Sequence, residues 1–361
     1  MAKLRYLIVG SGWRSLFYVR IAQALPQQFE VCALLCRSAE KAAQLGQYGV
    51  RTSTSAEACA ALRPDFVVVA VNKASLAQVS QEWLDRGFAV LCETPAALEE
   101  AQLHRLWQLH QAGARLQIAE QYWRYPALAA KLEAVRQGLV GRPDFARLSL
   151  AHGYHAASLA RLALGTGMQP VTVEGRAWPV EIIETDSRWG RVEHGPLAQK
   201  TLHRHTLQFA GGAAAFVDFC NVQYHSYLRS THLNIQGPRG ELDDDTLRWL
   251  DEAAQPRLDQ IQCREGVYTL GERVLYRTPF CGSGLGQDET AIATLLAGME
   301  GYLASGEPVY PLADALQDAY LGILMERSLT SPGPVCSQPQ PWSGEEGGPL
   351  PNFPKKSAQL D

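Results

Sequence analysis

The chain has 361 residues, 46% of them hydrophobic and 19% charged, a balance that supports about two domains of ~150 residues each and excludes a disordered chain. Its formal net charge of −4 leaves no basic footprint, so neither a nucleic acid nor an anionic membrane is expected as a partner. No apolar run is long enough to span a bilayer, Met1–Leu4 enters the first strand without an apolar leader, and the eight cysteines are scattered without metal-ligand spacing. These features predict a cytoplasmic protein with reduced core thiols and no metal site.

Leu4–Val9 is an apolar run that leads into Gly10-Ser11-Gly12-Trp13-Arg14-Ser15 and then into a helical stretch, Leu16–Leu25. Gly10 permits a tight turn, Gly12 leaves room for a diphosphate against the backbone, and the helix start offers free N–H groups and a positive dipole. Ser15 stands where a third glycine completes the pattern, so the signal rests on its context of strand before and helix after. Phe29–Cys36 reads as a second strand, Ser38–Gln47 as a helix capped by Ser38, and Asp65–Val71 as a third strand. Helix Leu76–Arg86, strand Ala89–Cys92, helix Leu98–Gln111 and strand Leu116–Ala119 follow. Strands that are apolar throughout are covered on both faces, which predicts a doubly wound parallel sheet with crossover helices.

From Phe145 the pattern changes. A strand, Arg147–Gly153, runs into a helix, His155–Leu164, and strand-like segments follow at Val171–Val180, Leu202–Phe209, Ala213–Tyr224, His232–Gln236, Val267–Leu270 and Arg273–Tyr276. Alternation in Ala215-Phe216-Val217-Asp218-Phe219 predicts an open, mostly antiparallel sheet with one buried face. Helices Asp288–Ala304 and Leu312–Arg327 close this second, α+β domain, and from Thr330 the composition predicts an irregular tail. The expected divisions are 1–123 for the dinucleotide-binding domain, 124–330 for the substrate domain and 331–361 for the tail.

The second strand ends at Cys36-Arg37-Ser38, where an acidic residue ordinarily grips the ribose of NAD. A guanidinium and a hydroxyl suit a 2′-phosphate instead, and Arg14 adds positive charge to the glycine loop. NADP(H) is therefore the expected cofactor and NAD(H) the alternative, with Arg37 as a solvated loop residue in the second case.

With Val71-Asn72 after the third strand, Glu93-Thr94-Pro95 after the fourth, Ala119-Glu120-Gln121-Tyr122 to Pro126, and Gly306-Glu307-Pro308 to Leu316, the chain resembles the glucose-fructose oxidoreductase/inositol dehydrogenase/MocA family. The resemblance implies a Rossmann domain followed by a sheet domain that shapes the substrate cleft and joins subunits, giving a homodimer or higher homo-oligomer. It implies hydride transfer between a nicotinamide and a small polar substrate, sugar- or cyclitol-like. The implied cofactor contacts are Gly10, Ser11, Gly12, Trp13, Arg14, Cys36, Arg37, Ser38, Val71, Asn72, Glu93, Thr94 and Gln121. Thr94 replaces the family's lysine, and Ala151, His155 and Ser158 replace its Asp-His-Asp set, so only the histidine survives.

The proton partner in such chemistry needs a pKa near working pH, which histidine has. His155 is the expected acid/base, assisted by Tyr154 or Tyr122; the alternatives are a helix-start histidine and core or rim tyrosines. His203 and His205 share one strand face as a substrate wall or half of a metal site. Three other activities fit the resemblance: a cofactor-retaining lyase or glycosidase, an imine reductase, and a dinucleotide-binding sensor without turnover.

Overall fold

The computed structural model describes residues 3–344. It divides into two compact units.

The first unit comprises residues up to Leu128 together with Arg277–Leu316. Its sheet contains β1 (Leu4–Val9), β2 (Phe29–Leu35), β3 (Thr52–Ser53), β4 (Phe66–Val69), β5 (Val90–Cys92) and β6 (Leu116–Ile118), in the order β3-β2-β1-β4-β5-β6. All the pairings are parallel, as the uninterrupted apolarity of β4, buried at every position, requires. Helices α1 (Trp13–Ala24), α2 (Ala39–Gly46), α3 (Ala56–Ala60), α4 (Leu76–Asp85) and α5 (Glu100–Gln111) make the crossovers. The strand order reverses between β1 and β4, the switch point at which such sheets bind ligands beyond their carboxyl ends. The predicted fold class is thus observed. Strand β3, two residues on the sheet edge, was too short to show any periodicity, so the predicted third strand is the fourth.

The division of the chain differs from the expected one. Helix α8 (Gln287–Ser305), assigned by sequence to the second domain, buries Ile292, Leu295, Leu296, Met299 and Tyr302 in one core with Tyr6, Ile8, Leu16 and Val68. Each aliphatic side chain buried there contributes roughly 1.5–3 kcal/mol, and the Tyr302 hydroxyl donates to the carbonyl of Leu116 (3.3 Å). Gln117, fully enclosed, accepts from the backbone N–H groups of Val309 and Tyr310 (2.9 and 3.4 Å) and fastens the segment after α8 to β6.

The second unit contains Ala129–Tyr276 and the chain from Gln317 onward; α6 (Pro126–Arg136) and α9 (Leu312–Ser328) contribute residues to both units. Its strands are β7 (Phe145–Ser149), β8 (Val171–Ile183), the small hairpin β9 (Asp186–Ser187) and β10 (Gly190–Arg191), β11 (Leu197–Phe209), β12 (Ala214–Cys220), β13 (His232–Gly237), β14 (Gly240–Asp243), β15 (Thr246–Leu250), β16 (Pro256–Arg264), β17 (Val267–Leu270), β18 (Arg273–Arg277) and β19 (Val335–Cys336). All but the hairpin form one sheet of eleven strands. β7 pairs with β12 in parallel, and the other described pairs in it are antiparallel, so the expected antiparallel character holds. Helix α7 (Gly153–Leu164) follows β7.

The tail is more ordered than its composition suggests. Val335–Cys336 pairs with β8, and the fully buried Trp342 donates from Nε1 to Gln317 Oε1 (2.9 Å). Residues 345–361 of the expected tail lie outside the described residues. Of the eight cysteines, Cys263, Cys281 and Cys336 are exposed rather than core thiols, because they sit on strands or loops with an open face. No described helix is long and apolar enough to cross a membrane.

Candidate active site

In the first unit the chain turns at Gly10, whose φ of +134° suits only glycine and where a Cβ would lie 2.1 Å from the carbonyl oxygen of Ala70. Gly12 is the N-cap of α1, and a Cβ there would meet nothing within 4 Å. The helix start has no side-chain cap and no acidic residue in its first turn. Its backbone N–H groups and dipole therefore remain available to an anion lying against Gly12. Ser15 is fully buried with no hydrogen-bond partner for its hydroxyl among the described residues, so the third-glycine position adds a polar atom behind the turn. Ser11 and Trp13 are half-buried, and Trp13 rests edge-on against Phe17 at 4.5 Å. On these observations the loop fits a dinucleotide diphosphate.

Arg14 does not add free positive charge to this loop. Its guanidinium lies 3.6 Å from Glu93 and 3.1 Å from Asp288. Against burial, which works the other way, these two carboxylates hold its pKa above the ordinary value. Glu93, enclosed by β5 and α1, also accepts from the Tyr18 hydroxyl (2.7 Å). Burial pushes its carboxyl pKa up, and Arg14 and Tyr18 restrain the rise. Thr94 is half-buried, and its N–H donates to Glu93 (3.3 Å).

After β2 the Cys36 thiol is buried, while Arg37 and Ser38 are exposed. Ser38 caps α2 by accepting from the Lys41 N–H (3.2 Å), which leaves its hydroxyl proton to donate. Arg37 forms no ion pair among the described residues. After β4, Val71 is half-buried and Asn72 exposed, its Oδ1 accepting from Ser75 (3.1 Å).

The segment after β6 holds a group that the sequence reading passed over. Glu120 is enclosed, and burial pushes its carboxyl up to about 8, against the Tyr122 N–H bonded to it at 3.1 Å and the nearby charge of Arg14. It therefore keeps its proton at neutral pH. The available signal was a carboxylate amid Ile118, Ala119, Tyr122 and Trp123. Gln121 is fully buried, with no partner for either end of its amide among the described residues. Tyr122 is buried and stacks on Tyr125 at 4.8 Å.

In the second unit His152 is the N-cap of α7, Tyr154 its second residue and His155 its third. His155 is 5% exposed, not a solvated helix start. Its ring lies 4.3 Å from that of Tyr154 and 5.6 Å from that of His152. Nδ1 of His152 is hydrogen-bonded to the Tyr224 hydroxyl. A close approach of α9 braces the turn: a Cβ at Gly322 would sit 3.0 Å from the Tyr154 nitrogen. Tyr154 and His155 are thus brought together, while Tyr122 belongs to the first unit.

Beside this cluster, wholly within the second unit, is a cavity of about 250 Å³. The face of β11 and β12 that carries His203, His205, Val217 and Phe219 lines it, with His152 and Gly153 at the start of α7 and Glu326 of α9. His205 fits because Gly175 opposite has no side chain; a Cβ there would come within 3.0 Å of its Nδ1. Burial, then the neighbouring His203, pushes the His205 pKa down to about 4, so its ring is neutral. Among the described residues no group of three or more His, Cys, Asp or Glu side chains is arranged to hold a metal ion. Arg161 is locked in a buried pair with Asp318 (2.5 Å).

A strand–glycine turn–helix at the switch point of a 3-2-1-4-5-6 parallel sheet defines a dinucleotide-binding domain. Residues 4–119 match the profile of an oxidoreductase family with an NAD-binding Rossmann fold, that of glucose-fructose oxidoreductase, inositol dehydrogenase and MocA. A comparison with curated proteins finds no match. Among solved structures the fold is similar to a putative myo-inositol dehydrogenase from Sinorhizobium meliloti, at 16% identity and a TM-score of 0.67 over 92% of this chain and 99% of that one. It is similar to levoglucosan dehydrogenase in complex with NADH and levoglucosan, at 18% identity and a TM-score of 0.68 over 92% and 99%. It is also similar to biliverdin reductase from Synechocystis, in complex with biliverdin and NADP+, at 19% identity and a TM-score of 0.62 over 91% and 99%.

Proposed function

We propose that the chain is an NAD(P)-dependent oxidoreductase acting on a small polar, sugar- or cyclitol-like substrate. The observation that carries this reading is the open, uncapped cradle at Gly10 and Gly12. Relatives of the same fold handle such substrates, as the names of the levoglucosan and myo-inositol dehydrogenases state. A bound nicotinamide supplies the hydride chemistry. The backbone from Gly10 to Arg14 holds the diphosphate, and Cys36, Arg37 and Ser38 hold the adenosine end. Arg37 and Ser38 offer a guanidinium fork and a hydroxyl to a 2′-phosphate, which favours NADP(H) over NAD(H). Val71, Asn72, Glu93 and Thr94 line the ends of β4 and β5, and the unpaired amide of Gln121 suits the cofactor's carboxamide.

A nitrogen of the buried His155 takes the proton in the oxidative direction, with Tyr154 or Tyr122 donating to a substrate oxygen. Thr94 cannot replace an ammonium group. That substitution favours a second reading, a dinucleotide-binding sensor without turnover. Fluorescence titration with NADPH and NADH, followed by absorbance in the nicotinamide band over a panel of polyols and cyclic imines, tests both. Cofactor binding with turnover supports the enzyme, cofactor binding without turnover supports the sensor, and no affinity for either nucleotide refutes both.

A further inference from the structure

The cavity in the second unit has a charge balance that bears on what it takes. Lys200 at its edge is already matched, its Nζ lying 2.6 Å from Glu184. Glu326, exposed at the cavity, has no ion pair or side-chain hydrogen bond among the described residues. The remaining polar lining comprises the hydroxyl of Thr201, the amide of Asn221 and the imidazoles of His152, His203 and His205. A volume of about 250 Å³ equals about eight waters at ~30 Å³ each, room for one small ring with its polar substituents. A carboxylate ligand would meet Glu326 with no free cation to offset it. A neutral polyol would leave that exposed carboxylate to solvent alone.

We propose that this cavity takes a small polar molecule that carries a protonated nitrogen beside its hydroxyl groups, with Glu326 as the counter-charge and the imidazoles of His203 and His205 as hydrogen-bond partners. The proposal narrows the substrate class and rests, for the role of that molecule as substrate, on the oxidoreductase reading. It also agrees with the neutral state of His205, which leaves a ring nitrogen free to accept from an N–H donor.

Calorimetric titration of the full chain with 2-amino-2-deoxyglucose and with glucose, each with and without NADPH, separates the two conclusions. The amine should bind about tenfold tighter than the hydroxy compound. Glu326→Gln should remove that preference while leaving NADPH affinity and melting temperature unchanged. His203→Asn should weaken both compounds together. Equal affinity of the pair, no binding of either, a preference that survives Glu326→Gln, or indifference to His203→Asn would each overturn the proposal. Loss of NADPH binding alone would sink the redox reading and leave the amine preference standing.

Discussion

The cradle in the first unit and the cavity in the second are built in opposite ways. The cradle is main-chain geometry confined to six consecutive residues, Gly10–Ser15, set by one strand end and one helix start. The cavity is made of side chains brought from α7, β11, β12 and α9, positions between His152 and Glu326. A backbone site tolerates changes of side chain but not of φ. A side-chain site tolerates backbone drift but not loss of a single ring or carboxylate.

The sharpest break in that contrast is Gly10→Ala. A Cβ there would sit 2.1 Å from the Ala70 carbonyl at a φ of +134°. Strain of ~1–3 kcal/mol is therefore expected on top of the clash, seen as a melting temperature several degrees lower and NADPH affinity lost. An alanine variant that binds NADPH normally would show that the turn is not the cradle.

Next in size is His155→Ala, which should cut turnover ~100-fold or more while leaving NADPH affinity intact, since His155 belongs to the second unit. Unchanged turnover would remove His155 from the chemistry. Smaller again is Arg37→Ala, which should weaken NADPH about tenfold and NADH little, measured by fluorescence titration. Equal loss for both nucleotides would mean that Arg37 contacts something other than a 2′-phosphate.

The same contrast explains what the sequence disclosed. The parallel sheet was legible because β4 is apolar throughout, β1 and β2 carry one charged residue each, and glycines follow β1 immediately. Helix α8 was recognised as a helix, but its partner was not, since pairing Leu296 and Met299 with Tyr6 and Val68 is a long-range event with no local trace. Arg14 looked like free charge for the same reason: Asp288, which neutralises it, lies 274 residues away. In the sheet domain β14 and β15 escaped notice because Gly240–Asp243 and Thr246–Leu250 mix polar and apolar residues on short strands. His155 was legible as a residue type at a strand-to-helix junction, while its burial and its contact with His152 depend on packing.

Glu120 tests whether a carboxylate that no local pattern marked is held as an acid within the first unit. Burial places its folded-state pKa near about 8, whereas an unfolded glutamate titrates near ~4.3. Between these values the folded chain binds the extra proton, so stability attributable to Glu120 is fully present below the unfolded value. It is lost as pH rises through the folded one, with a slope of at most ~1.4 kcal/mol per pH unit. Glu120→Gln keeps the acceptor for the Tyr122 N–H and removes the titration. The difference in melting temperature between variant and parent should therefore grow in the variant's favour from pH 5 to pH 8. Parallel melting curves across that range would mean that Glu120 is ionised in the folded protein, with water or a cation reaching it.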